Sequence, residues 1–254
     1  MTFAPGAVDF GAIACRYGAA RGLTPVAADA WRAAVGDTLR VVAGERLLDL
    51  GAGVGRFTPL LAAWSTAYVV GVEPAAAMRA EAARSASHPH ATYVGGRAEA
   101  LPFRDECFAA AWLAFVVHHV PDLARCAAEV RRVVHVGGSV LVANAFAGRL
   151  EGITFFNYFP EARAVAERFP SVDVVTGVFA AAGVRCEAVR RVAQPTCGSL
   201  EELAARTRLR ADSTLRSIPD AAFMRGQAAL EHAARTEPPL SVIDTLDLLV
   251  CRVV

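Results

Sequence analysis

The sequence predicts an α/β fold: a doubly wound sheet, mostly parallel, with helices on both faces and an antiparallel last strand. Three observations carry this. From residue 45 onward, short apolar runs alternate with helical patterns, and strands separated by helices imply right-handed crossovers and parallel pairing. The first run closes on a glycine-rich turn, LLDLGAGVG over 47–55. The chain finishes on SVIDTLDLLVCRVV (241–254), β-branched and apolar as a strand buried within a sheet requires.

Each element follows in order. Residues 28–42 are helical in pattern and precede the first strand, RLLDL (46–50). A helix is expected over 56–64, then the strand YVVGVE (68–73), an alanine-rich helix over 75–85, and the short strand ATYV (91–94). CFAAAWLAFVV (107–117) is a fourth strand. The clearest helix is 121–135: Pro121 suits a first-turn position, and Leu123, Cys126, Ala127, Val130 and Val134 make one apolar face. Gly137 and Gly138 supply its stop, and SVLVANAF (139–146) is the fifth strand. A helix over 172–182, a strand over 184–195 and a largely helical stretch over 200–233 precede the last strand.

Composition excludes several classes. The longest apolar run, 108–117, is well short of the roughly 20 residues a spanning helix needs. MTFAPGAVDF carries no basic segment before an apolar core, so no signal peptide is read and a cytoplasmic location is expected. A net charge of +1 without basic runs makes nucleic acid and anionic membranes poor partners. No lysine occurs, which removes Schiff-base, Walker-type and lysine-base chemistry. Cysteines 15, 107, 126, 186, 197 and 251 form no C-x-x-C pair or zinc framework and read as small buried hydrophobes. No metal site is expected.

The glycine turn carries the chemistry. Strand, glycines and a following helix make a nucleotide site. A dinucleotide loop, G-x-G-x-x-G, needs glycine at 56, where Arg56 stands; the third glycine comes one residue early, at Gly55. Asp49 ends the strand, where it would repel a pyrophosphate and attract an ammonium. Glu73 ends the second strand, placed to accept hydrogen bonds from ribose hydroxyls. S-adenosyl-L-methionine fits a ligand with a ribose and a cationic group and without a pyrophosphate.

DLGAGVGRFT, GVEP, GRAEALPF and VVHHVPDLARCAAEVRRVVHVGGSVLV, in that order, resemble the successive motifs of class I S-adenosylmethionine-dependent methyltransferases over about residues 45–146. The branch they resemble is the small-molecule one that includes quinone-biosynthesis C-methyltransferases. The resemblance implies a Rossmann-like single domain over 1–254: a helical cap (1–44), a cofactor-binding core (45–146), substrate-side insertions with a late strand (147–240), and the last strand (241–254). It implies a small-molecule methyl acceptor, S-adenosyl-L-homocysteine as product, and leaves a homodimer open.

The resemblance also assigns roles. Asp49, Gly51, Ala52 and Gly53 would hold the methionine part, Glu73 and Pro74 the ribose side, and Ala98 and Glu99 the adenine edge. Many relatives carry aspartate where Arg97 stands, so the adenine contact is missing or replaced here. Leu113 and Ala114 would lie against the cofactor. Met78 could do so too, although a methionine on such a helix is more often core. Tyr17 and Arg21 match a Y-x-x-x-R pattern and could cover the cofactor's carboxylate, or sit at the surface.

Methyl transfer from a sulfonium is an in-line displacement in which the protein mainly positions the acceptor and excludes water. His118 and His119 follow the fourth strand and suit a general base, if one is needed; their rival role is structural. VVHHV stands where amino-group methyltransferases of nucleic acids carry an N/D-P-P-Y-like motif. The acceptor pocket is expected from Phe155, Phe156 and Tyr158, with Phe159 beside them, and from Arg206 and Arg210, read as one helical turn apart and able to bind a carboxylate or phosphate. The bland alternatives are a hydrophobic patch and a solvated helix face. A protein that binds the cofactor without transferring methyl groups, cyclase-like or scaffold, is the rival function. A nicotinamide oxidoreductase would need the glycine missing at 56.

Overall fold

The structure, a computed structural model, describes residues 14–36, 38–39 and 41–254. The stretch MTFAPGAVDF, read above for a signal peptide, and the side chain of Cys15 lie outside the described residues.

Seven strands form one sheet: β1 (Arg46–Leu50), β2 (Tyr68–Val72), β3 (Ala91–Val94), β4 (Phe108–Ala114), β5 (Val134–Asn144), β6 (Val184–Cys197) and β7 (Val242–Val253). Their spatial order is β3-β2-β1-β4-β5-β7-β6. β1 to β5 pair in parallel, and β7 runs antiparallel between β5 and β6. The predicted sheet, with its antiparallel last strand, is the one observed.

Strand periodicity sorts side chains to the two faces. On β1, Leu47 joins the core on one face and Leu48 the core on the other; on β4, Ala110 and Trp112 alternate likewise with Ala111 and Leu113. The first face packs against α2 (Pro25–Val35) and α3 (Thr58–Ser65), with Trp31, Phe57 and Trp112 meeting ring to ring at 5.1 to 5.9 Å. The second packs against α5 (Leu123–Val133) and α7 (Val172–Ala181). The chain leaves β1 toward β2 on one side, while β4 lies on the other. This is the switch point, and in open α/β sheets ligands bind at the carboxyl ends of the strands there.

The remaining helices are α1 (Ala14–Arg21), α4 (Ala76–Ser85), α6 (Pro160–Ala166), α8 (Leu200–Arg208), α9 (Ser213–Arg216) and α10 (Asp220–Thr236). Among the described cysteines, Cys126, Cys197 and Cys251 are buried as expected, while Cys107 and Cys186 are only partly covered.

Several boundaries differ from the sequence reading. The helix expected over 28–42 is α2, which starts three residues earlier because Thr24 caps it and Pro25 opens it. Pro121 lies before α5, not in its first turn; Asp122 is the cap, accepting from the Arg125 amide at 3.0 Å. Gly137 and Gly138 do not stop that helix. Val134 is already extended and pairs with Phe108, and the glycines fall where the register against β4 shifts. β4 ends at Ala114, three residues early, because Phe115 takes a φ of 56°.

Candidate functional site

The turn after β1 needs its glycines for two separate reasons. Gly51 has a φ of 77°, and a Cβ there would collide with the Val116 side chain. Gly55 has a φ of 80°, and a Cβ there would run into the Tyr93 hydroxyl and the Ala86 methyl. The third glycine therefore serves packing: it lets β3 and the end of α4 close on the turn, with Tyr93 donating to the Ala86 carbonyl at 2.8 Å.

A cavity of about 240 Å³ opens above this turn. Asp49, Gly51, Ala52 and Gly53 line it, together with Glu73, Pro74 and Met78. Arg97, Ala98, Glu99 and Ala114 border it, as does Tyr17 of α1. Leu113 does not reach it: its place on β4 turns it into the core on the α5 side, fully buried. Arg97 keeps its side chain 68% exposed and reaches Glu99 at 3.8 Å.

Two carboxylates in this cavity are held out of water. Asp49 is 2% exposed, and burial pushes its pKa from 3.8 up to about 7, against the Thr58 hydroxyl, which donates to Oδ2 at 2.6 Å; the Glu73 charge adds a smaller upward push. Burial also raises Glu73, while the Ala75 and Gly53 amides, donating at 2.9 and 3.1 Å, pull it down, as does Arg79.

A second cavity of about 90 Å³ adjoins the first. Tyr17, Arg56, Phe115 and His119 line both and so form the junction. Phe155, Phe156 and Phe169 give the second cavity an aromatic wall; Arg21 and Arg206 border it as well. Tyr158 does not line it, and Phe159 faces away into the core against Phe223, at 5.8 Å between rings. Arg21 pairs with Asp212 at 2.9 Å and borders only this second cavity.

Arg210 corrects the sequence reading. α8 ends at Arg208, so Arg206 and Arg210 are not one helical turn apart. The Arg210 guanidinium donates to the Leu215 and Ile218 carbonyls and pairs with Asp220, staples a loop, and lines neither cavity.

The histidines sit in a 3₁₀ turn over Val117–His119. His118 is buried, stacked on Phe169 at 4.1 Å, with Nδ1 at 2.8 Å from Asn144 Oδ1. Asn144 Nδ2 donates to the Ala145 carbonyl, which fixes Oδ1 toward the ring; the proton then belongs on Nδ1 and the lone pair on Nε2. Burial lowers His118 well below 6.5 and His119 to about 4, the latter against the upward pull of Asp212. Both rings are neutral at pH 7.

Sequence reading missed Arg56, Thr58, Phe115, Asn144 and Gln194. Arg56 was visible only as the residue that spoiled a dinucleotide pattern. Nothing local marks Phe115, whose left-handed backbone at the strand end turns its ring to the junction.

Residues 48–142 match the family model described as "Methyltransferase domain". The demethylmenaquinone methyltransferase of Roseiflexus castenholzii is 35% identical over 133 residues, 52% of this chain and 56% of that protein. The chain thus spans little more than half the length of the curated relative it matches. Among solved structures, a putative methyltransferase from an antibiotic biosynthesis pathway of Anabaena variabilis superposes with a TM-score of 0.68 at 20% identity, covering 86% of this chain and 96% of that one. A [4+2]-cyclase superposes with a TM-score of 0.62 at 19% identity, covering 88% and 80%. The family resemblance drawn from the motifs and the fold class are both borne out.

Proposed function

We propose, for a chain whose residues 48–142 match the methyltransferase-domain family model, that it transfers a methyl group from S-adenosyl-L-methionine to a small molecule and releases S-adenosyl-L-homocysteine. The observation that carries this reading is the pair of buried carboxylates, Asp49 and Glu73, at the ends of adjacent strands in one cavity.

The residues fit the cofactor. A carboxylate whose pKa burial has raised to about 7 is stabilised by a cation and destabilised by a pyrophosphate. Asp49 would hold the ammonium, with Gly51, Ala52 and Gly53 bringing backbone close to the methionine part. Glu73 would accept from the ribose hydroxyls beside Pro74. Ala98 and Glu99 would meet the adenine edge, with Arg97 outside it, and Met78 and Ala114 would pack against the ligand. When bound, the cofactor supplies a methyl group activated by its sulfonium.

The chain's own contribution is placement. The second cavity adjoins the first through Tyr17, Arg56, Phe115 and His119, so an acceptor held there would lie next to the methyl donor. The aromatic wall keeps water away. His119, lowered to about 4, is too weak a base to strip a proton from an ordinary alcohol or amine. It suits a hydrogen bond that orients an acceptor whose nucleophile is already formed, and His118, fixed by Asn144, backs it at 4.0 Å between rings.

Calorimetry with S-adenosyl-L-homocysteine tests the reading, with Asp49→Ala and Glu73→Ala as controls. Absence of binding by the unaltered protein would sink it. The low basicity of both histidines favours one second reading, a cofactor-binding protein with cyclase-like rather than transfer chemistry. That reading expects cofactor binding with no methylated product from any acceptor mixture.

A further inference from the structure

Arg56 is a cation with no carboxylate partner among the described residues. Its Nε is shut off from solvent and makes no hydrogen bond. One Nη reaches Gln194 Oε1 at 3.4 Å, an oxygen that already accepts from Trp31 Nε1 at 2.7 Å. The guanidinium lies over the Phe57 and Phe115 rings, 5.3 and 5.1 Å from their centroids. Burial, with Arg21 and Arg206 nearby, lowers its pKa to about 9, against a favourable effect of Tyr17.

The neighbouring arginines are already paired. Arg21 pairs with Asp212, though its Nε is buried without a partner. Arg206 pairs with Glu202 at 2.8 Å and donates to the Gly22 carbonyl. Asp244, the other carboxylate on the cavity, accepts from the Thr196 hydroxyl at 2.8 Å and the Thr154 amide at 2.9 Å. Of the three arginines on this cavity, Arg56 alone has no ion pair among the described residues, and an aromatic wall shares the same small space. A buried, unmatched charge is costly and a guanidinium fork binds planar or tetrahedral oxyanions in two-point fashion.

We propose that the second cavity takes a methyl acceptor bearing an oxyanion, a carboxylate or a phosphate, on an apolar body, and that Arg56, supported by Arg21 and Arg206, selects it. The proposal rests on the methyltransferase reading for the word acceptor, and on the cavity alone for the oxyanion. Phe155, Phe156, Gln194 and Arg206 lie beyond the stretch, 48–142, that matches the family model. The rival occupant of Arg56 is the cofactor's carboxylate, since Arg56 borders both cavities. Against it, Arg21, Arg206 and Gln194 border only the second.

The test is calorimetry with benzoate, phenyl phosphate and benzyl alcohol on protein saturated with S-adenosyl-L-homocysteine. One of the two anions should bind at least about tenfold more tightly than the alcohol, and the tighter one names the oxyanion. Arg56→Gln should erase most of that preference and Arg206→Gln weaken it by a smaller factor, while Arg206→Gln leaves S-adenosyl-L-homocysteine affinity within about threefold. Equal binding of anions and alcohol overturns the proposal. So does loss of anion binding on saturation, which would assign Arg56 to the cofactor. If Arg56→Gln does not fold, Arg56→Met supplies a second readout: removing an unmatched buried cation should raise Tm, and a lowered Tm in a folded variant counts against the proposal. If S-adenosyl-L-homocysteine does not bind the unaltered protein, the methyltransferase reading fails, and the same comparison on ligand-free protein still decides the oxyanion site.

Discussion

Thr58, the first residue of α3, donates its hydroxyl to Asp49, the last but one of β1, across 2.6 Å in the protein interior. This single bond to a charge-bearing group opposes a large burial penalty and only partly offsets it, since the pKa of Asp49 stays raised to about 7.

The consequence for stability has a definite sign. A carboxyl raised from 3.8 to about 7 binds its proton more tightly in the folded chain, so folding loses stability as pH rises through that window and regains it as pH falls. The full displacement corresponds to about 4 kcal/mol above pH 7. Asp49→Asn should therefore melt higher than the parent at about pH 8 and nearly equal to it at about pH 4. Thermal melts at both pH values check this. A parent more stable than the variant at the higher pH would mean that Asp49 is ionised and well compensated without ligand.

The same group sets the pH dependence of cofactor binding. Affinity should rise as Asp49 ionises toward pH 7, and fall again at more alkaline pH as the ligand's α-ammonium loses its proton. Calorimetric titration with S-adenosyl-L-homocysteine across this range should give a maximum between the two. A flat profile would detach Asp49 from the ammonium.

How much of this was legible depends on sequence distance. Asp49 and Glu73 end consecutive strands joined by one helix, so the short-range pattern placed both in one site. Arg56 and Gln194 lie 138 residues apart, and their meeting depends on β6 returning beside β7, which no local pattern encodes. Arg210 was misread because α8 ends at Arg208, and a helical spacing means nothing past a helix end. Leu113 was misread by one strand position, which reverses its face.

Gly55 should resist substitution for reasons unrelated to ligand contact. Gly55→Ala forces a side chain into left-handed backbone, about 1–2 kcal/mol, and into Tyr93 and Ala86, for about 1–3 kcal/mol more. Urea unfolding should show a loss of that order. A loss under about 0.5 kcal/mol would mean that β3 and α4 yield freely.

The histidines predict an absence in a rate profile. With His118 held well below 6.5 and His119 near 4, turnover at saturating substrates should show no limb near about pH 6.5. A bell with a limb at that pH would restore a conventional histidine base. Asn144→Leu removes the acceptor that fixes the His118 tautomer and should slow turnover more than it weakens cofactor binding.

Phe115 offers a separate test of how the junction is built. Its φ of 56° is a conformation that favours glycine, and its ring carries Arg56 at 5.1 Å and Arg21 at 5.8 Å. Two substitutions separate backbone strain from ring contact. Phe115→Ala keeps the strained backbone and loses the ring; Phe115→Gly loses the ring but relieves the backbone. Glycine should therefore be the better tolerated of the two in thermal melts, by about 0.5–1 kcal/mol. Both should depress turnover more than S-adenosyl-L-homocysteine affinity, because the ring lines both cavities at their junction while Asp49 and Glu73 line only the first. If alanine is tolerated as well as glycine, the positive φ stores no strain. If both variants lose S-adenosyl-L-homocysteine binding in step with turnover, Phe115 belongs to the cofactor's own contacts instead of the wall it shares with the acceptor.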